Sequence, residues 1–287
     1  MTIKSAAKRL LRRFGYDVRK ILEGDEAICE LEDQSQSFID FVRANTMLSY
    51  TRLLALFKQA VFCEQFGISG SFVECGVWKG GAVGLMALVN LKYGETRRDI
   101  HLFDSFQEIC EPDAAVDGDR AIREVRNWSR GGGVSGELKP LKGIYDHRGG
   151  PGTLVENKEL LEARIRYPAE FLHYHVGWFQ DTLPQVATTL DQIAILHLDG
   201  DWYASTKVCL DHLYDQVVGG GFVIVDDYGA YEGCRKAVDE FLAKLNRPTF
   251  LHSVDRECRY WVKEYCSSAP TASSIETEAT NYSTKRL

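Results

Sequence analysis

The sequence predicts an α/β fold in which a mostly parallel sheet is flanked by helices and preceded by an N-terminal helical cap. Short apolar runs alternate with helical stretches between residues 72 and 263. This order is typical of parallel strands joined by right-handed crossovers. Helical periodicity comes before the first apolar run, which predicts the cap over residues 23–70. The length of 287 residues suits one large domain of this class.

Strands are predicted where a short apolar run is bounded by turn residues. The runs are 72–77 (FVECGV), 100–103, 171–176, 193–198 (IAILHL), 222–225 and 258–263, the last as a strand at the edge. Between and around them, helical spacing predicts helices at 51–66, 80–93, 206–217 and 233–245. The domain is therefore expected to cover residues 23–265.

Three segments interrupt this alternation. Residues 1–22 have helical spacing and seven basic residues, which predicts an amphipathic helix that packs on the domain or contacts an acidic membrane. Residues 107–167 are glycine-rich and too long for a plain loop, so they form either a lid or an irregular surface insertion. Residues 266–287 are rich in Ser and Thr and predict a disordered tail.

Bulk properties narrow the possible functions. The net charge of -7 argues against a nucleic-acid partner. Eight cysteines occur without a CxxC pair, which favours reduced thiols and a cytoplasmic location. No apolar run is long enough to span a membrane.

Polar residues collect where the predicted strands end, which is the edge at which ligands bind in open α/β sheets. Glu74 and Gly76 lie in a strand-to-helix turn whose glycines allow a ligand close to the backbone. Asp104 ends the next strand, where a carboxylate can accept both hydroxyls of a ribose. The alternative for Asp104 alone is a helix N-cap, but its combination with the glycine loop favours a nucleoside site.

Three further carboxylates follow two other strands. Asp199 ends LHLD, and Asp226 and Asp227 end VIVDD. Like charges brought this close need a cation, and three carboxylate oxygens suit Mg²⁺ or Mn²⁺. The alternative is that one or two of them are turn residues that face solvent.

Taken together, FVECGVWKGG, LFDSF, GWFQDTLP, LHLDGDWYAST and GGGFVIVDDYGAYEGCRKAVDEF resemble the macrocin O-methyltransferase family over residues 46–263. The resemblance implies a Rossmann-like class I methyltransferase with a seven-stranded sheet, S-adenosylmethionine (SAM) as methyl donor and a divalent metal. The implied SAM contacts are Glu74, Gly76, Asp104, Ser105, Gly177 and Trp178. The implied metal ligands are Asp199, Asp226 and Asp227, and Asp201 is the implied general base.

The expected reaction is methylation of a hydroxyl on a sugar of a glycoside, natural product or glycan, in a chain that forms a homo-oligomer. A phenolic acceptor and a non-catalytic SAM-binding protein stay open as alternatives. A nicotinamide-dependent reductase is disfavoured because the glycine spacing is not that of a dinucleotide-binding loop. His173, His175 and His197 lie within predicted strands and are weaker candidates for the base than Asp201.

Overall fold

The computed structural model describes residues 24–245 and 247–265, and side chains from residue 31 onward. The predictions made for residues 1–22 and 266–287 lie outside the described residues. Within the described part, no helix is both long enough and apolar enough to cross a membrane.

A seven-stranded sheet forms the centre of the molecule, as predicted. Its strands are β1 (Ser71–Cys75), β2 (Ile100–Asp104), β3 (Leu172–Val176), β4 (Ile193–Leu198), β5 (Val217–Val225), β6 (His252–Ser253) and β7 (Arg259–Val262). They lie in the order β3-β2-β1-β4-β5-β7-β6. The first five pair in parallel, and β7 is antiparallel to both of its neighbours.

One strand assignment made from the sequence is wrong in its position. The run near residue 260 was expected at the edge of the sheet, but β7 is covered by the two-residue strand β6. A strand of two exposed residues carries no apolar pattern, so periodicity does not reveal it.

Helices cover both faces of the sheet. They are α1 (Gly24–Val42), α2 (Tyr50–Phe66), α3 (Gly81–Tyr93), α4 (Gly118–Trp128), α5 (Leu154–Lys158), α6 (Phe179–Val186), α7 (Tyr203–Leu213) and α8 (Glu232–Lys244). Alternate strand residues point to opposite faces. One face packs on α1, α2 and α3 through residues such as Phe72 and Ile195, and the other packs on α6, α7 and α8 through residues such as Val73 and Leu196.

Residues 107–167 form an ordered layer over the edge formed by the strand ends. This insertion contains α4, three isolated β-bridges, and α5 followed by a π-helical turn at Glu159–Arg164. A small apolar cluster of Val125, Leu141 and Ile144 supports it. The indole of Trp202 donates to the Cys110 carbonyl, and that of Trp78 donates to the Gly150 carbonyl, so the insertion is attached to the loops after β4 and β1.

Candidate active site

A cavity of about 610 Å³ opens at the carboxyl ends of the parallel strands. This volume is typical of a small-molecule site. Its walls come from the loops after β1, β2, β3, β4 and β5, from the start of α2, and from the insertion. All but one of the residues predicted for the site line this cavity; they are Gly76, Asp104, Ser105, Gly177, Trp178, Asp199, Asp201, Asp226 and Asp227.

Gly76 lets the backbones after β1 and β4 approach each other. Its φ is +90°, and a Cβ there would lie 1.8 Å from the Asp199 carbonyl oxygen. Only glycine fits both constraints. Glycine therefore allows the close approach of these two turns at the point where Gly76 lines the cavity.

Asp104 ends β2 and is held by the turn after β1. One of its oxygens accepts hydrogen bonds from the amides of Val77 (2.7 Å) and Trp78 (3.2 Å), and the other accepts from Phe106 (2.7 Å). Burial raises the pKa of Asp104 to about 6, against the lowering effect of these hydrogen bonds. The carboxylate is thus fixed in the wall of the cavity, where it can accept a ligand hydroxyl.

Glu74 is the predicted site residue that the structure does not bring to the cavity. Its side chain is buried below the strand ends, where it accepts from the Val83 amide at 3.1 Å. Its other oxygen lies 2.9 Å from Nδ1 of His197. Glu74 alternates with its neighbours along β1, so its side chain points into the layer under α3 rather than to the ligand edge. It therefore satisfies one of the free amides in the first turn of α3.

Asp199, Asp226 and Asp227 converge as predicted from the strand ends. Each offers an oxygen, and these oxygens lie within 4.8 Å of one another. Oδ1 of Asp226 and Oδ2 of Asp227 are buried without a hydrogen-bond partner. Burial and the charge of Asp226 raise the pKa of Asp227 to about 7. Burial and the charges of Asp226 and Asp227 raise the pKa of Asp199 well above its usual range. Such a cluster is stabilised by a bound cation.

Arg52 approaches the same cluster from the first turn of α2. Its guanidinium contacts Oδ2 of Asp226, and it also bonds to Asp255 (2.7 Å) and Glu257 (2.7 Å). Asp226 therefore has one oxygen held by Arg52 and the other free to face its neighbouring carboxylates. This is the arrangement expected of a metal-binding carboxylate with a supporting partner.

Asp201 lies two residues beyond Asp199 in a turn with an unusual backbone. Its φ is +61°, which non-glycine residues rarely adopt. Burial together with the charges of Asp227 and Glu124 raises the pKa of Asp201 well above its usual value. A carboxylate with a raised pKa that lines the cavity has the properties of a proton acceptor.

The insertion supplies one wall of the cavity, although the sequence analysis named no site residue within it. Tyr145 lies there, and burial together with the charges of the cavity carboxylates raises the pKa of its phenol well above the usual value. From α4, Arg120, Glu124 and Trp128 also line the cavity. The insertion thus takes part in the site instead of decorating a remote surface.

The Macrocin-O-methyltransferase (TylF) family model matches residues 30–137 and 159–263. The chain belongs to the macrocin O-methyltransferase family. The matched residues include every predicted site residue, while residues 138–158 of the insertion fall outside the match.

Individual members of the macrocin O-methyltransferase family agree with this assignment. Demethyldecarbamoylnovobiocin O-methyltransferase of Streptomyces niveus is 33% identical over 218 residues, which cover 76% of this chain and 75% of that protein. A tetracenomycin-C derivative 4'-O-methyltransferase of Streptomyces olivaceus is 31% identical over 220 residues, 76% of this chain and 75% of that one. The solved O-methyltransferase NovP superposes with a TM-score of 0.60 at 31% identity and covers 77% of this chain and 82% of its own.

The predicted fold and enzyme class are therefore confirmed: this is a SAM-dependent O-methyltransferase with a Rossmann-like fold. The three histidines that were weaker candidates for the base, His173, His175 and His197, do not line the cavity. Trp202 does line it, although its ring is 3% exposed and packs against Tyr231.

The cavity residues that the sequence analysis missed include several charged and aromatic ones: Arg52, Arg120, Glu124, Trp128, Tyr145, His147, Tyr231 and Glu257. A signal was present for one of them. Arg52 is a cation in the first turn of a helix, where the helix dipole disfavours it, and this indicates an acidic partner from elsewhere in the fold. The others lie on segments whose direction only the folded chain fixes.

Proposed function

We propose that this macrocin O-methyltransferase family member transfers the methyl group of SAM to a hydroxyl group on the sugar of a glycoside, with the assistance of Mg²⁺ or Mn²⁺. The observation that carries the proposal is the convergence of Asp199, Asp226 and Asp227 beside Asp201, in the cavity that Asp104 also lines. Such a cavity combines a nucleoside-binding carboxylate, a cation site and a base.

The sugar acceptor is supported by what the relatives are named for. One relative is an 8-demethyl-8-(2,3-dimethoxy-alpha-L-rhamnosyl)-tetracenomycin-C 4'-O-methyltransferase, so its name places the reaction on a rhamnosyl derivative. An aliphatic sugar hydroxyl is far less acidic than a phenol, so its methylation needs a base and a cation close to the oxygen. In this cavity Asp201 would be the base, and the three converging carboxylates would bind the cation.

The donor set fits a divalent metal. Three carboxylates provide hard oxygen ligands, and two of their buried oxygens have no other partner. The ion would be held by Asp199, Asp226 and Asp227. Arg52 would keep Asp226 in place by donating to Oδ2 of that carboxylate. A divalent cation bound there would act as a Lewis acid that lowers the pKa of the acceptor hydroxyl.

The remaining groups have separate tasks in the proposed reaction. Asp104, Ser105, Gly177 and Trp178 form the part of the wall that we assign to the nucleoside of SAM. Asp201 accepts the proton of the acceptor hydroxyl while the hydroxyl oxygen of the acceptor forms a bond to the methyl carbon of SAM. The bond from that carbon to sulfur breaks, and the sulfur leaves as the neutral thioether S-adenosylhomocysteine.

The test is a screen of the purified protein with SAM and Mg²⁺ against 6-deoxyhexose and hexose glycosides, read by mass spectrometry. We expect the mass gain of one methyl group on at least one glycoside, and its loss in excess chelator. Asp201→Asn should lower kcat at least about 100-fold, the usual contribution of a general base, while SAM binding by calorimetry stays unchanged. Methylation of phenols alone would contradict the sugar acceptor, and SAM binding without any methylation would favour a non-catalytic role.

Three expectations about context are also proposals. We place the protein in the cytoplasm, with support from six described cysteines that are all free thiols. We expect a homo-oligomer, which sedimentation would detect. We also propose that residues 1–20 contact acidic membranes, and equal liposome binding after their deletion would remove this idea.

A further inference from the structure

We propose that Trp128 forms the outer end of the acceptor subsite and stacks on a planar ring attached to the sugar. The acceptor would then be a glycoside of a flat, aromatic aglycone rather than a free sugar. This inference rests on the proposed function, because it takes the methylated hydroxyl to lie at the carboxylates. It assigns the selection of the aglycone to helix α4 of the insertion.

One stripe of α4 faces the cavity. Arg120, Glu124 and Trp128 are spaced by four residues, and all three line the cavity wall. Residues four apart lie on the same side of an α-helix. The stripe therefore runs along the cavity from the start of the helix to its end.

The start of this stripe is anchored at the carboxylates. Arg120 contacts Glu257, which also binds Arg52, and Arg52 contacts Asp226. Glu124 accepts a hydrogen bond from the hydroxyl of Tyr231. These contacts fix the first two turns of α4 beside the reacting end of the cavity.

The end of the stripe offers an aromatic surface that stays partly exposed among the residues that the structure describes. Trp128 is 48% exposed, although it is the largest side chain of α4. The imidazole of His147 stacks on it at 4.3 Å between ring centroids, with an angle of 23°. His147 also lines the cavity, and Val125, Leu141 and Ile144 form an apolar cluster within the same insertion. The pair is held in place while part of the indole stays available for a ligand.

The length of the stripe indicates the size of the acceptor. Trp128 lies eight positions after Arg120, which corresponds to about 12 Å along a helix. One pyranose ring is too short to reach from the carboxylates to Trp128. A sugar with one planar ring system attached covers this span, and planar rings stack on indole with favourable geometry.

The position of the pair also suits a role in specificity. His147 lies in residues 138–158, the part of the insertion outside the family match. Trp128 lies inside the matched residues but contacts that segment through the stack. A platform made partly from unmatched sequence can select an aglycone without altering the reacting end.

The experiment compares pairs of probes that differ only in the aglycone: 4-nitrophenyl and methyl glycosides of the same hexoses and 6-deoxyhexoses. Binding is measured by calorimetry on the full chain with S-adenosylhomocysteine and Mg²⁺, so that turnover is not required. We expect the wild-type protein to bind the 4-nitrophenyl member of a pair more tightly. Trp128→Ala should weaken that binding about tenfold, leave the methyl glycoside within twofold, and leave S-adenosylhomocysteine affinity unchanged; Trp128→Phe should restore most of the preference.

Phe250→Ala is the matched control, because Phe250 is 75% exposed and lies outside the cavity. Equal binding of both probes by the wild type, no binding of either, or equal weakening of both by Trp128→Ala would overturn the inference. The two proposals fail separately. Methylation of glycosides without a Trp128-dependent preference overturns this inference alone, whereas Trp128-dependent binding without methylation supports it and contradicts the proposed function.

Discussion

Arg52 is the residue on which the charge balance of the cavity depends. Three carboxylates, from Asp226, Asp255 and Glu257, surround its guanidinium, and its side chain is 12% exposed. Burial disfavours the charged form of Arg52, but these three carboxylates outweigh it and raise the pKa of the guanidinium. Without this cation, Asp226 would be a buried charge beside two others of the same sign.

We expect Arg52→Gln to lower the free energy of unfolding by roughly 3–5 kcal/mol, the cost of removing one partner from a buried ion pair. Urea denaturation at neutral pH in chelator measures this loss. Arg52→Lys should recover part of it, because the charge is kept and the forked geometry is not. A change within about 0.5 kcal/mol, as for ordinary surface positions, would mean that the ion pairs contribute little.

The three converging aspartates lead to a second prediction about single residues. Mg²⁺ should raise the thermal midpoint of the wild-type protein, because a ligand that binds only the folded state stabilises it. Asp199→Asn and Asp227→Asn should lose this response and keep their affinity for S-adenosylhomocysteine. In chelator both variants should be at least as stable as the wild type, because a repelling charge is removed.

The exposed Asp191 provides the control for this experiment, and Asp191→Asn should respond to Mg²⁺ as the wild type does. Scanning calorimetry with and without the ion supplies all of these values. An equal response to Mg²⁺ in the Asp199 and Asp227 variants would remove the metal site from the proposed mechanism.

At the scale of elements, strands β2 and β3 place three histidines on one face of the sheet edge. His101 pairs in register with His173, and Phe103 with His175. Nδ1 of His101 lies 3.0 Å from Nε2 of His175, and His173 contacts Asp99 at 2.7 Å. Burial, with the neighbouring histidines, lowers the pKa of His101 to about 3 and that of His175 to about 4.

A histidine whose pKa is lowered by folding stabilises the fold in its neutral form. That stability is complete above the unfolded pKa of about 6.5 and is lost as the pH falls toward the folded values. We therefore expect the free energy of unfolding to decrease between pH 6.5 and 4, by up to about 1.4 kcal/mol per pH unit for each of the two histidines.

His101→Gln should flatten this dependence, and urea denaturation at several pH values measures it. His212→Gln, on α7 away from this edge, is the control and should retain the wild-type slope. If His101→Gln has the same slope as the wild type, other groups account for the acid sensitivity.

At the scale of the whole molecule, the insertion joins the site to the rest of the fold. The Trp78 indole donates to Gly150, the Lys79 ammonium donates to Gly149, and the Asp117 carboxylate accepts from the Tyr203 amide. Tyr145 and His147 of the same segment line the cavity. The insertion thus contacts the loops that are expected to hold SAM, and a ligand in the cavity would contact it in turn.

We expect S-adenosylhomocysteine with Mg²⁺ to slow amide hydrogen exchange in residues 143–152, because the ligand stabilises a segment that contacts its binding loops. Residues 235–244 of α8, none of which lines the cavity, serve as the internal control. Exchange that is unchanged in residues 143–152 would contradict the proposed role of the insertion as a lid.

The extent to which the site follows from the sequence differs from residue to residue. Asp199, Asp226 and Asp227 were predicted to meet because parallel strands end at one edge, and they do so. Glu74 was expected at the ligand, but its position in β1 turns it toward His197. Its side chain lies on the face of β1 that packs under α3, and only the packing of that helix decides that this face is closed to a ligand.

By itself the sequence determined the chain order of the five parallel strands, the family, and the carboxylates at the strand ends, because these depend on local apolar patterns and short motifs. Only the tertiary structure decided that Arg52 reaches Asp226, that β6 covers β7, and that α4 turns Arg120, Glu124 and Trp128 toward the cavity. Those contacts join residues that are far apart in the chain. They are fixed by how whole elements pack, and no local pattern records that.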